Sequence, residues 1–333
     1  MNDIYSDVVG HDAIKRGLSH AVLHDRLHHA LLFAGIAGVG KFTLAKAFIQ
    51  SLFCAETTHE ELHRCGKCSA CQRIAHQVHP DVLTVETDSA TLKIETIREL
   101  QRKLIYPPFE SDKRFVLIRD VHKMQDAAAN CLLKTLEEPE EHTTFILLTP
   151  QPQRLLSTIK SRCQIIRFAP FECDCIVDYL VAHEGVSPEY ARQAAILSNG
   201  SLGQAIALTR DDYQSALLEI LDTVLSVDSM DKAFPVAAQL KGKKDRFEHI
   251  LSLLLTYMRD LAVLKTARDA PIMLSHYRDK MMQTIDRIEM SSIERAAKNI
   301  GDVQEAFYGN VNELVAWERL VIGMHGILFG LKK

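Results

Sequence analysis

The sequence predicts an α/β fold: a parallel sheet built around a phosphate-type glycine loop, followed by an all-helical region. Three observations carry this. Between residue 1 and about 169, short apolar runs alternate with stretches of helical periodicity, the pattern of a parallel sheet with crossover helices. The runs are apolar throughout instead of alternating with polar residues, which fits strands covered on both faces. Beyond Leu208 helical spacing continues with no strand signal.

Taken in order, 29–34 reads as a strand entering the glycine loop, and 42–54 as the helix leaving it. Residues 82–85 read as a strand and 94–103 as a helix. A third strand is expected at 114–118, then a helix at 127–136 closed by Glu137-Glu138-Pro139. Strands at 144–148 and 164–168 complete the sheet. Composition changes at Ala169-Pro170, where short helices begin at 173–184, 187–198 and near Ser201, with a turn at Asn199-Gly200. Longer helices are expected at 215–227, 247–266, 272–288, 293–308 and 312–330. In the second of these, Leu251, Leu254, Leu255, Met258, Leu261 and Ala262 recur at helical spacing and read as a core stripe. These shifts divide the chain at 1–169, 170–208 and 209–333.

Composition narrows the function classes. The chain has 333 residues, 47% hydrophobic and 25% charged, with a formal net charge of −4. That is an ordinary soluble composition, and it offers no global basic field for nucleic acid. No apolar run approaches the length of a membrane span, and the first residues have neither the basic start nor the apolar core of a signal peptide. A cytoplasmic protein with no membrane contact is expected.

The loop Gly35-Ile36-Ala37-Gly38-Val39-Gly40-Lys41 has Walker A spacing. Backbone N–H groups of such a loop cradle phosphates, the lysine reaches the terminal ones, and the following helix adds its positive end. The next position should hold a Mg²⁺-binding hydroxyl but is Phe42; Thr43 comes one residue late, about 100° around the helix. The run 115–118 should lead into an Asp-Glu pair but leads into Arg119-Asp120. A guanidinium in place of the metal-binding aspartate turns attraction for Mg²⁺ into repulsion, a change worth roughly 4 kcal/mol per unit-charge pair at ~4 Å and an effective dielectric near 20. Intrinsic ATP hydrolysis is therefore not expected. Metal-free ATP or ADP binding through Gly35, Gly38, Gly40 and Lys41 remains open at this point, with Arg119 as a further candidate for the phosphates.

Cys65-x2-Cys68-x2-Cys71, with Cys54 upstream, has soft-ligand spacing for one tetrahedral zinc. His63, His76 and His79 are alternative ligands. Four protein ligands would leave no open position, so the expected role is structural. Cys131, Cys163, Cys173 and Cys175 read as packed, reduced thiols, and the stretch 241–246 as a solvated loop with a weaker reading as a DNA phosphate contact.

The run 132–142 (LLKTLEEPEEH), the strand ending at Thr149 and Ser161-Arg162-Cys163 resemble the clamp-loader branch of the AAA+ ATPases. Val9-Gly10-His11 resembles the motif that precedes the P-loop there, and Asn310-Val311-Asn312 a pattern of the C-terminal collar. The resemblance spans essentially the whole chain and is most specific over 115–168. It implies an AAA+ P-loop domain with a zinc module inserted at 54–71, a small helical lid at 170–208 and a helical collar at 209–333. It also implies a five-subunit ring in bacterial DNA polymerase III that loads sliding clamps onto primer-template DNA.

By resemblance, Arg162 matches the arginine finger inserted in trans, and Thr149 the sensor position at a strand end. Gly203 falls where a hydrolysing member would carry a sensor arginine. An intact Ser-Arg-Cys beside a spoiled nucleotide site resembles the family's non-hydrolysing members. The alternative is an active, motor-type ATPase whose Asp120 and Thr43 rescue the site. A third class, an independent zinc-dependent DNA binder, is disfavoured by the charge balance.

Overall fold

The computed structural model describes residues 5, 7–58, 62–87, 91–209, 211–227, 229–242, 246–308 and 312–328. Two stretches singled out above, 243–245 and Asn310-Val311, lie outside the described residues. The chain divides into two compact units. The first comprises residues 1–171 with Ser201–Gly203, and the second 172–200 with 204–333.

The first unit is a five-stranded, wholly parallel sheet in the order β2-β3-β4-β1-β5. Its strands are β1 (Ala30–Ala34), β2 (Val82–Val85), β3 (Arg114–Ile118), β4 (Thr143–Thr149) and β5 (Gln164–Arg167). Helix α1 (Asp12–Leu23) precedes β1, and α2 (Lys41–Phe53), α3 (Ser69–Ala75), α4 (Ile94–Leu104), α5 (Asp126–Glu137) and α6 (Ser157–Lys160) connect the strands. Successive strand side chains point to opposite faces, so each central strand feeds two cores. Leu31, Phe33, Phe115, Leu117, Ile146 and Leu148 pack with Leu44 and Phe48 of α2. Ala30, Leu32, Val116, Ile118, Phe145 and Leu147 pack with Leu100 of α4 and Leu132 of α5. Complete burial of each such Leu or Phe contributes roughly 1.5–3 kcal/mol, and the two-sided demand explains why the central residues of β1, β3 and β4 are apolar on both faces. β5 departs from that expectation. It is an edge strand, and three of its four residues are exposed.

The second unit is helical: α7 (Cys173–Tyr179), α8 (Pro188–Leu197), α9 (Leu202–Leu208), α10 (Asp211–Leu225), α11 (Met230–Leu240), α12 (Phe247–Thr266), α13 (Arg278–Thr284), α14 (Met290–Tyr308) and α15 (Glu313–Leu328). The first residues of α9 belong to the sheet unit. Trp317 is fully buried, edge-on to Phe247 at 4.6 Å, and Phe247 stacks on Phe307 at 4.0 Å.

The expected single helix over 272–288 is instead a 3₁₀ turn at Ser275–Tyr277 followed by the short α13. Asp260, fully buried on α12, accepts a hydrogen bond from the Leu274 amide at 2.7 Å and ties down the non-helical lead-in. α1, α3 and α11 were not expected; α11 carries Pro235 in its interior, a residue that ordinarily argues against a helix. Leu255 of the α12 stripe faces outward at 36% exposure, while Leu251, Leu254, Met258 and Leu261 are buried. Among the described residues, no helix is long and apolar enough to cross a membrane.

Candidate nucleotide loop, exposed arginine and cysteine cluster

The glycine loop connects β1 to α2, as its spacing requires. Gly38 and Gly40 adopt φ of 72° and 94°, in the left-handed region that side chains avoid. Gly35 is needed for a different reason: a Cβ there would lie 2.6 Å from the Phe168 carbonyl oxygen. Five consecutive carbonyls of the loop each accept a hydrogen bond. Lys41 Nζ donates to Gly35 O at 2.5 Å and Ile36 O at 2.7 Å. Ser201 Oγ donates to Ala37 O at 2.8 Å, Gly203 N to Gly38 O at 2.9 Å, and the His11 ring lies 2.8 Å from Val39 O through Nε2. These five carbonyls are engaged within the chain, and it is the amides of a loop of this kind that would face an anion. Gly203 packs so closely that a Cβ would lie 3.0 Å from Gly38 Cα.

Lys41 is 8% exposed. Burial lowers its pKa to about 8, opposed by the charge of Asp120. Burial also lowers the pKa of His11, whose ring rests 4.8 Å from both Phe168 and Phe171. Thr43 is exposed on α2. Thr149 ends β4, fully buried; its hydroxyl accepts from Gln151 N at 3.0 Å and its carbonyl from Gly35 N at 3.2 Å. Asp120 follows β3 with φ of 50° and pairs with Lys123 at 3.1 Å.

At Phe42 and Arg119, Mg²⁺ finds no oxygen ligand. It requires oxygen ligands in near-octahedral geometry, but Phe42 offers a ring and Arg119 a cation. The Arg119 guanidinium lies 4.5 Å from the Phe42 ring centroid and donates to Glu86 Oε2 at 2.6 Å. The sequence marked both positions as off-pattern but gave no signal that they touch.

Arg162 sits between α6 and β5, with its side chain 32% exposed. It donates to Thr158 O at 2.9 Å and pairs with Glu137 at the end of α5 at 2.5 Å. In the sequence Glu137 stands out as part of the helix-ending motif and of the 132–142 run, with no sign of its pairing with Arg162.

The cysteine Sγ atoms of Cys54, Cys65, Cys68 and Cys71 all lie within 4.8 Å of one another. Four sulfurs about 2.3 Å from a zinc would be about 3.8 Å apart, so the set fits a tetrahedral soft metal. The amides of Cys65, Cys68 and Cys71 donate to the sulfurs of Cys54, Cys65 and Cys68 at 3.4, 3.2 and 3.5 Å, so three of the four sulfurs are fixed by the backbone of the next cysteine in the set. Burial raises the pKa of Cys54 and Cys71. Burial also acts upward on Cys68, but backbone hydrogen bonds at Ala55 and Cys71, together with hydrogen bonds from the Cys71 and Cys65 side chains, outweigh it and lower its pKa to about 6. The histidines stand apart from the cluster: His63 pairs with Glu56 at 2.9 Å and His79 with Glu110 at 3.1 Å, while His76 is exposed. Cys163 is a buried core thiol with its pKa raised by burial to about 11; Cys131, Cys173 and Cys175 are partly buried and form no disulfide.

Residues 10–172 match the family model described as DNA polymerase III, delta subunit. The chain is 31% identical over 325 residues to DNA polymerase III subunit delta′ of Bacillus subtilis (strain 168), covering 92% of this chain and 93% of that protein. It is 37% identical over 193 residues to subunit delta′ of Escherichia coli (strain K12), covering 57% of each. Subunit tau of Bacillus subtilis is 30% identical over 287 residues, covering 79% of this chain but only 50% of the tau protein. With a parallel P-loop sheet, a four-cysteine module and near full-length similarity, the chain belongs to the AAA+ clamp-loader family of DNA polymerase III that includes its delta′ and tau/gamma subunits.

Proposed function

We propose that this chain is a non-hydrolysing subunit of the clamp loader, a stator that lends Arg162 in trans to the ATP site of a neighbouring motor subunit. The observation that carries the reading is the contrast between two arginines. Arg119 is folded onto Phe42 where a hydrolysing site needs a metal ligand, whereas Arg162 is partly exposed and held by a surface ion pair to Glu137 and a hydrogen bond to Thr158 O. Such a pair is worth about 0–1 kcal/mol, so Arg162 can exchange Glu137 for a phosphate at little cost. An arginine that neutralises charge on a transferring phosphoryl group contributes roughly 10³–10⁵ in rate.

In this reading 1–169 is the P-loop domain, 170–208 the lid and 209–333 the collar that joins a hetero-pentamer acting on sliding clamps and primer-template DNA in the cytoplasm. Lys41 and the loop amides form a degenerate phosphate cradle that works without Mg²⁺, flanked by Asp120 and Thr149. Cys54, Cys65, Cys68 and Cys71 hold a structural zinc, which would cross-link the segment after α2 to α3 and leave no position for substrate. The test is the clamp- and DNA-stimulated ATPase of the reconstituted assembly carrying Arg162→Ala: assembly intact with hydrolysis reduced supports the reading, and unchanged hydrolysis removes it.

A further inference from the structure

The two residues that spoil the nucleotide site are in contact with each other. Phe42 is the second residue of α2 and Arg119 follows β3, yet the guanidinium lies 4.5 Å from the ring centroid, and Glu86 holds it there through a 2.6 Å hydrogen bond. Lys46, one turn along α2, places its ammonium 5.5 Å from the same ring centroid. The ring is therefore approached by two cations, a favourable arrangement for an aromatic face and the opposite of what a divalent ion requires.

We infer that Phe42 and Arg119 act as one unit, a stacked guanidinium held by Glu86 that takes the place of the divalent cation in this pocket, so that metal exclusion belongs to the pair and to neither residue alone. Replacing Arg119 alone leaves a phenyl ring where a hydroxyl ligand is needed. Replacing Phe42 alone supplies the hydroxyl but leaves the guanidinium, tethered by Glu86, where the pattern has a carboxylate ligand. Only the joint change provides oxygen ligands and removes the opposing charge. The inference rests on the non-hydrolysing reading through the pocket alone and not through Arg162.

The experiment compares the full chain with Phe42→Thr, Arg119→Asp and the double variant. ADP is titrated calorimetrically with Mg²⁺ or with chelator, and Mn²⁺ is followed by electron paramagnetic resonance in the presence of ADP. Expected is no metal enhancement for the wild type or either single variant. The double variant is expected to bind ADP at least about tenfold tighter with Mg²⁺ and to immobilise Mn²⁺. Metal-enhanced binding in a single variant overturns the inference, as does a folded double variant that gains none. Should the double variant fail to melt cooperatively, Phe42→Thr with Arg119→Asn asks the same question with a neutral oxygen ligand. These outcomes are independent of the Arg162 assay, so either reading can fail while the other stands.

Discussion

Replacing Arg162 by Ala separates a catalytic contribution from a structural one because the two differ greatly in size. Within the chain, the substitution removes a partly exposed ion pair to Glu137 and a hydrogen bond to Thr158 O. The pair is worth about 0–1 kcal/mol, so the melting temperature of the isolated chain should fall by no more than a few degrees. In the assembly, the same change should remove the roughly 10³–10⁵ that an arginine finger supplies, about 4–7 kcal/mol of barrier at the one site this chain faces. The assay is pre-steady-state ATP hydrolysis by the reconstituted loader with clamp and primed DNA, with co-elution of all subunits as the assembly control. Arg162→Lys keeps the charge but loses the planar fork, and it should recover only part of the rate. Hydrolysis unchanged in amplitude and rate by Arg162→Ala would refute the reasoning.

The remaining expectations concern the cysteines, the buried lysine and the glycines. Cys71→Ser, or strong chelation, should release one zinc per chain and lower the melting temperature, because a closed four-thiolate site contributes directly to folding; metal analysis of the purified chain checks the stoichiometry. Lys41 is held at about 8, below its unfolded value of 10.5, by burial opposed by Asp120. The unfolded state then binds the extra proton between those pH values, so stability should rise with pH across that window by up to about 3 kcal/mol. Urea midpoints at successive pH values should show this slope in the wild type and lose it in Lys41→Met. Gly35→Ala should cost about 1–3 kcal/mol because its Cβ meets the Phe168 carbonyl, whereas Gly17→Ala, in open space on α1, should stabilise by about 0.5–1 kcal/mol.

Much of the sheet unit was legible because burial on both faces leaves a strong mark. β2 and β3 fall at the expected bounds, and β1 and β4 within one residue of them. β5 was found by its apolar residues but lies at an edge, where the same composition carries no burial. α11 was hidden by Pro235, and α13 was overextended because the buried Asp260 tethers Leu274 through a long-range contact that leaves no periodicity in sequence. At the candidate site, the loop and the cysteine set were visible from spacing. The Arg119–Phe42 stack, the Glu137 tether on Arg162 and the clasp of Ser201 and Gly203 on the loop join residues from 25 to 165 positions apart, and pairing at such separations cannot be read from a single sequence.

The most direct test of a subunit that assists hydrolysis without performing it is Mg²⁺-dependent ATP turnover by the purified chain alone, measured at saturating nucleotide. With Phe42 and Arg119 in place of the metal ligands, turnover indistinguishable from buffer is predicted. Sustained Mg²⁺-dependent turnover, abolished by Lys41→Ala, would contradict the account and place this chain among the motor subunits.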